Sequence, residues 1–134
     1  MEVNAFLISP EAAEAGAWGT FLEDARVRIR RINSQYVREW IRNAGHDPAQ
    51  ILDWLDLAEA DRTEEQQSAI VDLIEHALMA DWEGFTSEGA SVEFGDRGLV
   101  VRDPRASAFR AWAVRYSIRL SPYTEAQAAA VGGK

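Results

Sequence analysis

Apolar positions recur along this chain with two different periods, and the change of period organises it. From Ala69 onward, Ile70, Leu73, Ile74, Ala77 and Leu78 fall three or four apart and lead to Trp82, the stripe of an amphipathic helix. Thr63-Glu64-Glu65-Gln66 stands just before that stripe. The Thr hydroxyl can accept from the Gln66 N–H while the Gln66 side chain reaches back, and the two Glu suit the positive end of the helix. The pattern therefore predicts a helix from Thr63 to Trp82, about five turns long. Gly84 is expected to break it, between the aromatic rings of Trp82 and Phe85, with Trp82 a core residue at the helix end.

The other period is two. Ala25-Arg26-Val27-Arg28-Ile29-Arg30 alternates apolar and basic, which predicts a half-buried strand with an Arg-lined outer face. Thr20-Phe21-Leu22 can supply an extended neighbour, so this region is expected to be a hairpin or an edge strand, where arginines would also deter edge-to-edge pairing. Trp18 lies between Gly16 and Gly19 in a segment read as irregular, and packing explains it least of the five Trp.

The remaining elements follow from caps and stripes. Ser9-Pro10 opens a short helical turn. Asn33-Ser34 starts a helix with Tyr36, Val37, Trp40 and Ile41 on one stripe and Gly45 past its end. Asp47-Pro48 opens a second helix, carrying Ile51, Leu52, Trp54, Leu55, Leu57 and Ala58. Asp103-Pro104 opens another, with Ala108, Phe109, Trp112, Ala113, Tyr116 and Leu120 on its apolar face and Arg105, Arg110, Arg115 and Arg119 largely off it. Ser121-Pro122 opens the last, from Tyr123 to Val131, before Gly132-Gly133. Ser91–Phe94 and Leu99–Val101, joined by Gly95-Asp96-Arg97-Gly98, predict a short hairpin near 91–101. The expected architecture is mainly α, about five helices, with a small β component. It forms a single compact domain over 1–134, with 1–15 and 126–134 flexible.

Charge changes this picture more than composition does. The net charge is -8, but it is distributed in blocks. Residues 26–42 carry six Arg against Glu39, residues 43–96 carry fourteen acids against Arg62, and residues 97–134 are basic again. Two basic segments flanking an acidic middle point to complementarity either within the molecule or between subunits, the second of which would mean self-association. The acidic net field disfavours nucleic acid as a partner. No apolar run approaches a membrane span and no signal peptide is apparent, so the expectation is a cytoplasmic protein. With no cysteine there is neither a disulfide framework nor a thiolate metal site.

Chemistry-bearing motifs do not emerge. His46 and His76 stand thirty residues apart with no HExxH spacing, and both are read as surface residues. Glu64 and Glu65 are accounted for by capping. Gly95–Gly98 is too short for a phosphate loop, and there is no GxGxxG, P-loop or GxSxG pattern. The sequence thus assigns no catalytic, cofactor-binding or metal-binding residue, and the chain is read as non-enzymatic, needing no cofactor. What it offers is an interaction surface, for which Trp18, Arg28, Arg30 and Phe85 are the candidate partner-binding residues, Trp and Arg being favoured at interfaces.

The order of short motifs resembles the tail assembly chaperones of long-tailed (siphovirus-like) bacteriophages and prophages. An extended Arg-containing segment leads into Arg30-Arg31-Ile32-Asn33-Ser34-Gln35-Tyr36; Asp81-Trp82-Glu83-Gly84-Phe85 and Gly89 follow; Trp112, Ser117 and Tyr123 mark a C-terminal helical region. The likeness spans about residues 16 to 125, and Val92–Val101 departs from the run that the family often has after the glycine. The resemblance implies a chaperone of the host cytoplasm that binds the tape measure protein, keeps it soluble, recruits tail tube protein and is absent from the mature virion. It also implies a longer form made by translational frameshifting near Gly132-Gly133-Lys134. The alternatives are another small phage morphogenesis protein, such as a head–tail completion factor, and an acidic binding or inhibitory protein docking on a basic partner.

Overall fold

A computed structural model describes residues 1–132 and is helical over most of its length, with small antiparallel sheets. The Gly133–Lys134 end, on which the frameshift expectation falls, lies outside the described residues. The elements run α1 (Pro10–Ala15), β1 (Ala17–Leu22), β2 (Ala25–Ile29), α2 (Gln35–Asn43), α3 (Pro48–Leu55), α4 (Glu64–Leu73), β3 (Met79–Glu83), β4 (Thr86–Ser87), β5 (Ala90–Ser91), α5 (Gly98–Val101), α6 (Ser107–Ile118) and α7 (Glu125–Gly132). Seven α-helices are thus present among the described residues where about five were expected, because short α1 and α5 add to the longer ones. No helix among the described residues is long and apolar enough to cross a membrane.

Caps set most helix starts as the sequence implies. Ser9, Ser34, Asp47 and Thr63 each accept a backbone N–H at the head of their helix, and the Thr63–Gln66 box is complete. Asp103 accepts from the Arg105 N–H and opens a 3₁₀ turn that feeds α6. The head of α2 is held twice, since the Glu14 carboxylate also accepts from the N–H groups of Gln35 and Tyr36 at 2.7 and 2.8 Å.

The helix ending at Trp82 is the main departure. Regular α-helix stops at Leu73, Ile74–Leu78 form a π-helical turn, and Met79–Glu83 become β3. Trp82 is therefore a strand residue, and Gly84 follows a strand instead of breaking a helix. The reason is tertiary: β3 pairs antiparallel with β2, Val27 opposite Trp82 and Ile29 opposite Met79. A position four beyond Leu78 on a helix is also a position of the right parity on a strand, so the stripe alone cannot separate the two. The prediction of Trp82 as a core residue stands, with 6% of it exposed.

The sheet order is β1-β2-β3. The N-terminal region is a hairpin, and its Arg-bearing strand β2 is the central strand, so protection of an open edge is not the role of its arginines. Gly19, Val27 and Trp82 form one row across the buried face, while Trp18, Arg28 and Asp81 form a row on the other. The buried face packs on α6 and the π-turn, in a core with Ile29, Val37, Ile41, Ile70, Leu73, Ile74 and Val101.

The hairpin expected near 91–101 is replaced. A tiny hairpin pairs Thr86–Ser87 with Ala90–Ser91, and Phe94–Asp96 then form a 3₁₀ turn before α5. The Arg97 guanidinium decides this, donating to the Glu75 carbonyl at 2.7 Å and the Phe94 carbonyl at 3.1 Å while lying over the Phe94 ring. That clamp folds the segment back on the π-turn and buries Val101. Arg110 is the other correction. It is buried, 5% exposed, gripping the Glu59 carboxylate with two nitrogens and the Val101 and Asp103 carbonyls with a third. Leu120, placed on the apolar face by the sequence, is exposed.

The N-terminal segment is tied to the C-terminal one. Ile8 and Thr124 form an antiparallel bridge, Ser9 N–H donates to the Tyr123 carbonyl, and Glu125 N–H donates to the Leu7 carbonyl.

Candidate functional site

An aromatic chain runs through the core and surfaces beside β1. Trp82 stacks on Phe85 at 4.0 Å between centroids, Phe85 meets Phe109 edge-on, Phe109 stacks with Trp112, and Trp112, Tyr116 and Tyr123 follow in contact. Tyr116 fits because Gly19 has no side chain: a β-carbon there would stand 2.4 Å from the tyrosine ring. The Tyr116 hydroxyl donates to the Trp18 carbonyl at 2.8 Å, and the Tyr123 hydroxyl to the Ile29 carbonyl at 2.9 Å. Burial raises the pKa of both phenols, so they stay protonated donors.

Beside Tyr116 the surface opens into a cleft of about 470 Å³ between α1, the β1–β2 hairpin and the head of α7. Trp18, Arg26, Arg28, Tyr116, Glu11 and Gln127 are its chemically distinctive lining residues. Trp18 is a residue of β1, not of an irregular segment, and half-buried. The Arg26 guanidinium lies over its ring at 5.3 Å and also pairs with Glu83 across the sheet at 2.8 Å, with both charged groups well exposed. Arg28 donates through Nε to the Gly16 carbonyl at 3.2 Å. Its two terminal nitrogens make no hydrogen bond or ion pair among the described residues. Its cross-strand neighbour Asp81 instead accepts, through Oδ1, from the N–H of Trp82.

The four partner-binding candidates thus divide. The fold brings Trp18 and Arg28 together in the cleft. Arg30 lies elsewhere: its Nε donates to the Glu14 carbonyl and its Nη1 to the Ala77 carbonyl, it covers the Tyr36 ring at 3.9 Å, and burial lowers its pKa. It closes the end of the π-turn. Phe85 packs between Trp82 and Phe109. Tyr116, Arg26 and Gln127 escaped the sequence reading; Arg26 was visible in the alternation of β2, whereas Tyr116 and Gln127 reach the cleft through contacts distant in sequence.

His46 packs edge-on against Trp54, and His76 lies exposed, stacked beside Trp40, with Glu75 at 3.5 Å. No group of three or more His, Cys, Asp or Glu residues is placed to hold a metal ion among the described residues. The cleft offers cationic nitrogens, aromatic faces and one carboxylate, which suits it to recognition of a polar-and-apolar chain segment. No family model matches the chain, and neither a curated protein nor a solved structure matches it.

Proposed function

We propose that this chain is a non-enzymatic tail assembly chaperone of a long-tailed bacteriophage, acting in the host cytoplasm to hold the tape measure protein soluble while tail tube protein assembles around it. The observation that carries the reading is the Trp18–Arg28–Tyr116 cleft, a recognition surface of peptide-binding size. The segment leading into it exposes Phe6 and Leu7, the kind of surface that covers apolar segments of a partner. The partner's identity comes from the resemblance carried by Arg30–Tyr36, Asp81–Phe85 and Gly89.

The test is co-expression with the tape measure protein encoded by the same phage, followed by sedimentation, and mass spectrometry of purified virions. The expected result is a soluble complex containing both chains, and particles that lack this one. A tape measure protein that sediments equally with and without the chain overturns the reading. Stoichiometric presence in the particle would instead favour a head–tail completion protein.

A further inference from the structure

The cleft beside β1 has a polarity that the chain as a whole does not. The molecule is acidic, with a net charge of -8, yet two of the cleft's charged side chains are Arg26 and Arg28, and Glu11 is the one carboxylate of its lining. The two arginines are not equivalent. Arg26 already has a carboxylate, that of Glu83, at 2.8 Å. Arg28 is held by one nitrogen on the Gly16 carbonyl, which fixes the plane of its guanidinium and leaves the two terminal nitrogens without a partner among the described residues. Such a fork, oriented by the backbone, matches the two oxygens of a carboxylate and takes them with little further loss of side-chain freedom.

The surroundings of the fork add a second requirement. Trp18 presents a half-buried ring, Ala12 and Ala128 extend the apolar wall, and Tyr116, itself buried with 8% exposed, backs the strand from its other face. A free inorganic anion would leave that wall uncovered. A carboxylate carried beside an apolar or aromatic side chain would satisfy both parts. The volume, about 470 Å³, lies within the range of pockets that enclose a few residues of chain or a drug-sized molecule.

We infer that this cleft reads a short acidic–aromatic segment of a partner protein, Arg28 taking an Asp or Glu carboxylate while Trp18 covers the neighbouring apolar side chain. This rests on the chaperone reading for the partner's identity, and names the class of sequence that the tape measure protein would present. Arg28 is the specificity-determining group, Trp18 a general contributor to affinity.

The test uses two fluorescently labelled pentapeptides, LDFEL and its isosteric neutral counterpart LNFQL, titrated with the full chain. The acidic peptide should bind about 10–100-fold more tightly, the range of a charge-assisted hydrogen bond. Arg28→Gln should abolish the preference. Gln127→Glu leaves Arg28 untouched, changes an exposed residue isosterically and places a carboxylate in the cleft, so it should weaken LDFEL by a larger factor than LNFQL. Trp18→Ala should weaken both peptides by a similar factor. Equal binding of the two peptides by the native chain overturns the inference, as does a preference that survives both Arg28→Gln and Gln127→Glu. Capture of the tape measure protein, run in parallel, separates the two levels. Capture that persists in both variants, with no peptide preference, removes the cleft and keeps the chaperone; a clear peptide preference without capture removes the chaperone and keeps the cleft.

Discussion

Gly84 passes so close to Asp24 that a β-carbon on it would stand 2.1 Å from the aspartate's carbonyl oxygen, and its φ is +81°. The residue after β3 therefore threads beside the turn that joins β1 to β2. Gly84→Ala is expected to cost about 2–5 kcal/mol, combining left-handed strain with a backbone collision that no rotamer relieves. Gly89 has nearly the same φ, +82°, but open space where its β-carbon would be. Gly89→Ala should cost only about 1–2 kcal/mol. Urea denaturation of the pair checks this; equal costs would show that the close approach does not exist in solution.

Trp82 carries more than its area. Besides stacking on Phe85 it donates through Nε1 to the Val92 carbonyl at 2.9 Å, which holds the segment after β5 against the sheet. Trp82→Ala should cost about 3–5 kcal/mol. Trp82→Phe, which keeps a ring and loses the donor, should cost about 1–2 kcal/mol. An alanine variant near wild-type stability in chemical denaturation would mean that the indole is not buried.

The Arg110–Glu59 pair should set part of the acid response. Hydrogen bonds from Arg110 hold the Glu59 carboxyl below its ordinary value of 4.5. A carboxyl with a depressed folded-state pKa contributes stability above its unfolded pKa, and that contribution is lost as pH falls through the folded value. Glu59→Gln should therefore cost about 1–3 kcal/mol at pH 7, because it leaves a buried guanidinium short of a counter-charge. The gap to wild type should narrow as the pH is lowered well below 4.5. A gap independent of pH would assign the cost to packing alone.

Gly19 and Tyr116 should behave as one unit. Gly19→Ala pushes the β-carbon into the Tyr116 ring and should cost about 1–3 kcal/mol. Tyr116→Phe, losing the bond to the Trp18 carbonyl, should cost about 1 kcal/mol. Combining Gly19→Ala with Tyr116→Ala should be less damaging than the sum, since the second change removes what the first strikes. Additive costs in a denaturation double-mutant cycle would contradict the contact.

Local chemistry made much of this fold legible and long-range pairing hid the rest. Ser34, Asp47 and the Thr63–Gln66 box act within three residues of themselves, so their signals survive any tertiary arrangement. The alternation of Ala25–Ile29 likewise needs only one buried face. Leu78 to Trp82 was ambiguous because helix and strand both bury that spacing, and β2 decided between them. Leu99–Val101 reads as β by propensity, but the Arg97 clamp makes it a helical turn. Arg110 was placed largely off the apolar face because nothing local marks Glu59, fifty-one residues away, as its partner. The same holds for the cleft: Trp18 and Arg28 could be singled out by residue type, whereas Tyr116 and Gln127 join them only through the fold.

The π-turn at Ile74–Leu78 also gives the chain slack in its length. A π-turn holds one residue more than an α-turn, so it is the place where the polypeptide can lose a residue and still deliver β3 in phase. Elsewhere, in α4 or β3 themselves, a deletion would rotate the buried stripe or slip Val27 away from Trp82 and turn that indole outward. His76, exposed within the turn, is the natural residue to remove. Its deletion should be survived, with β2–β3 amide exchange protection preserved, where deletion of Asp72 or Ala80 is not. The helix–strand junction is in this sense a tolerant joint, fixed in its output and adjustable in its input.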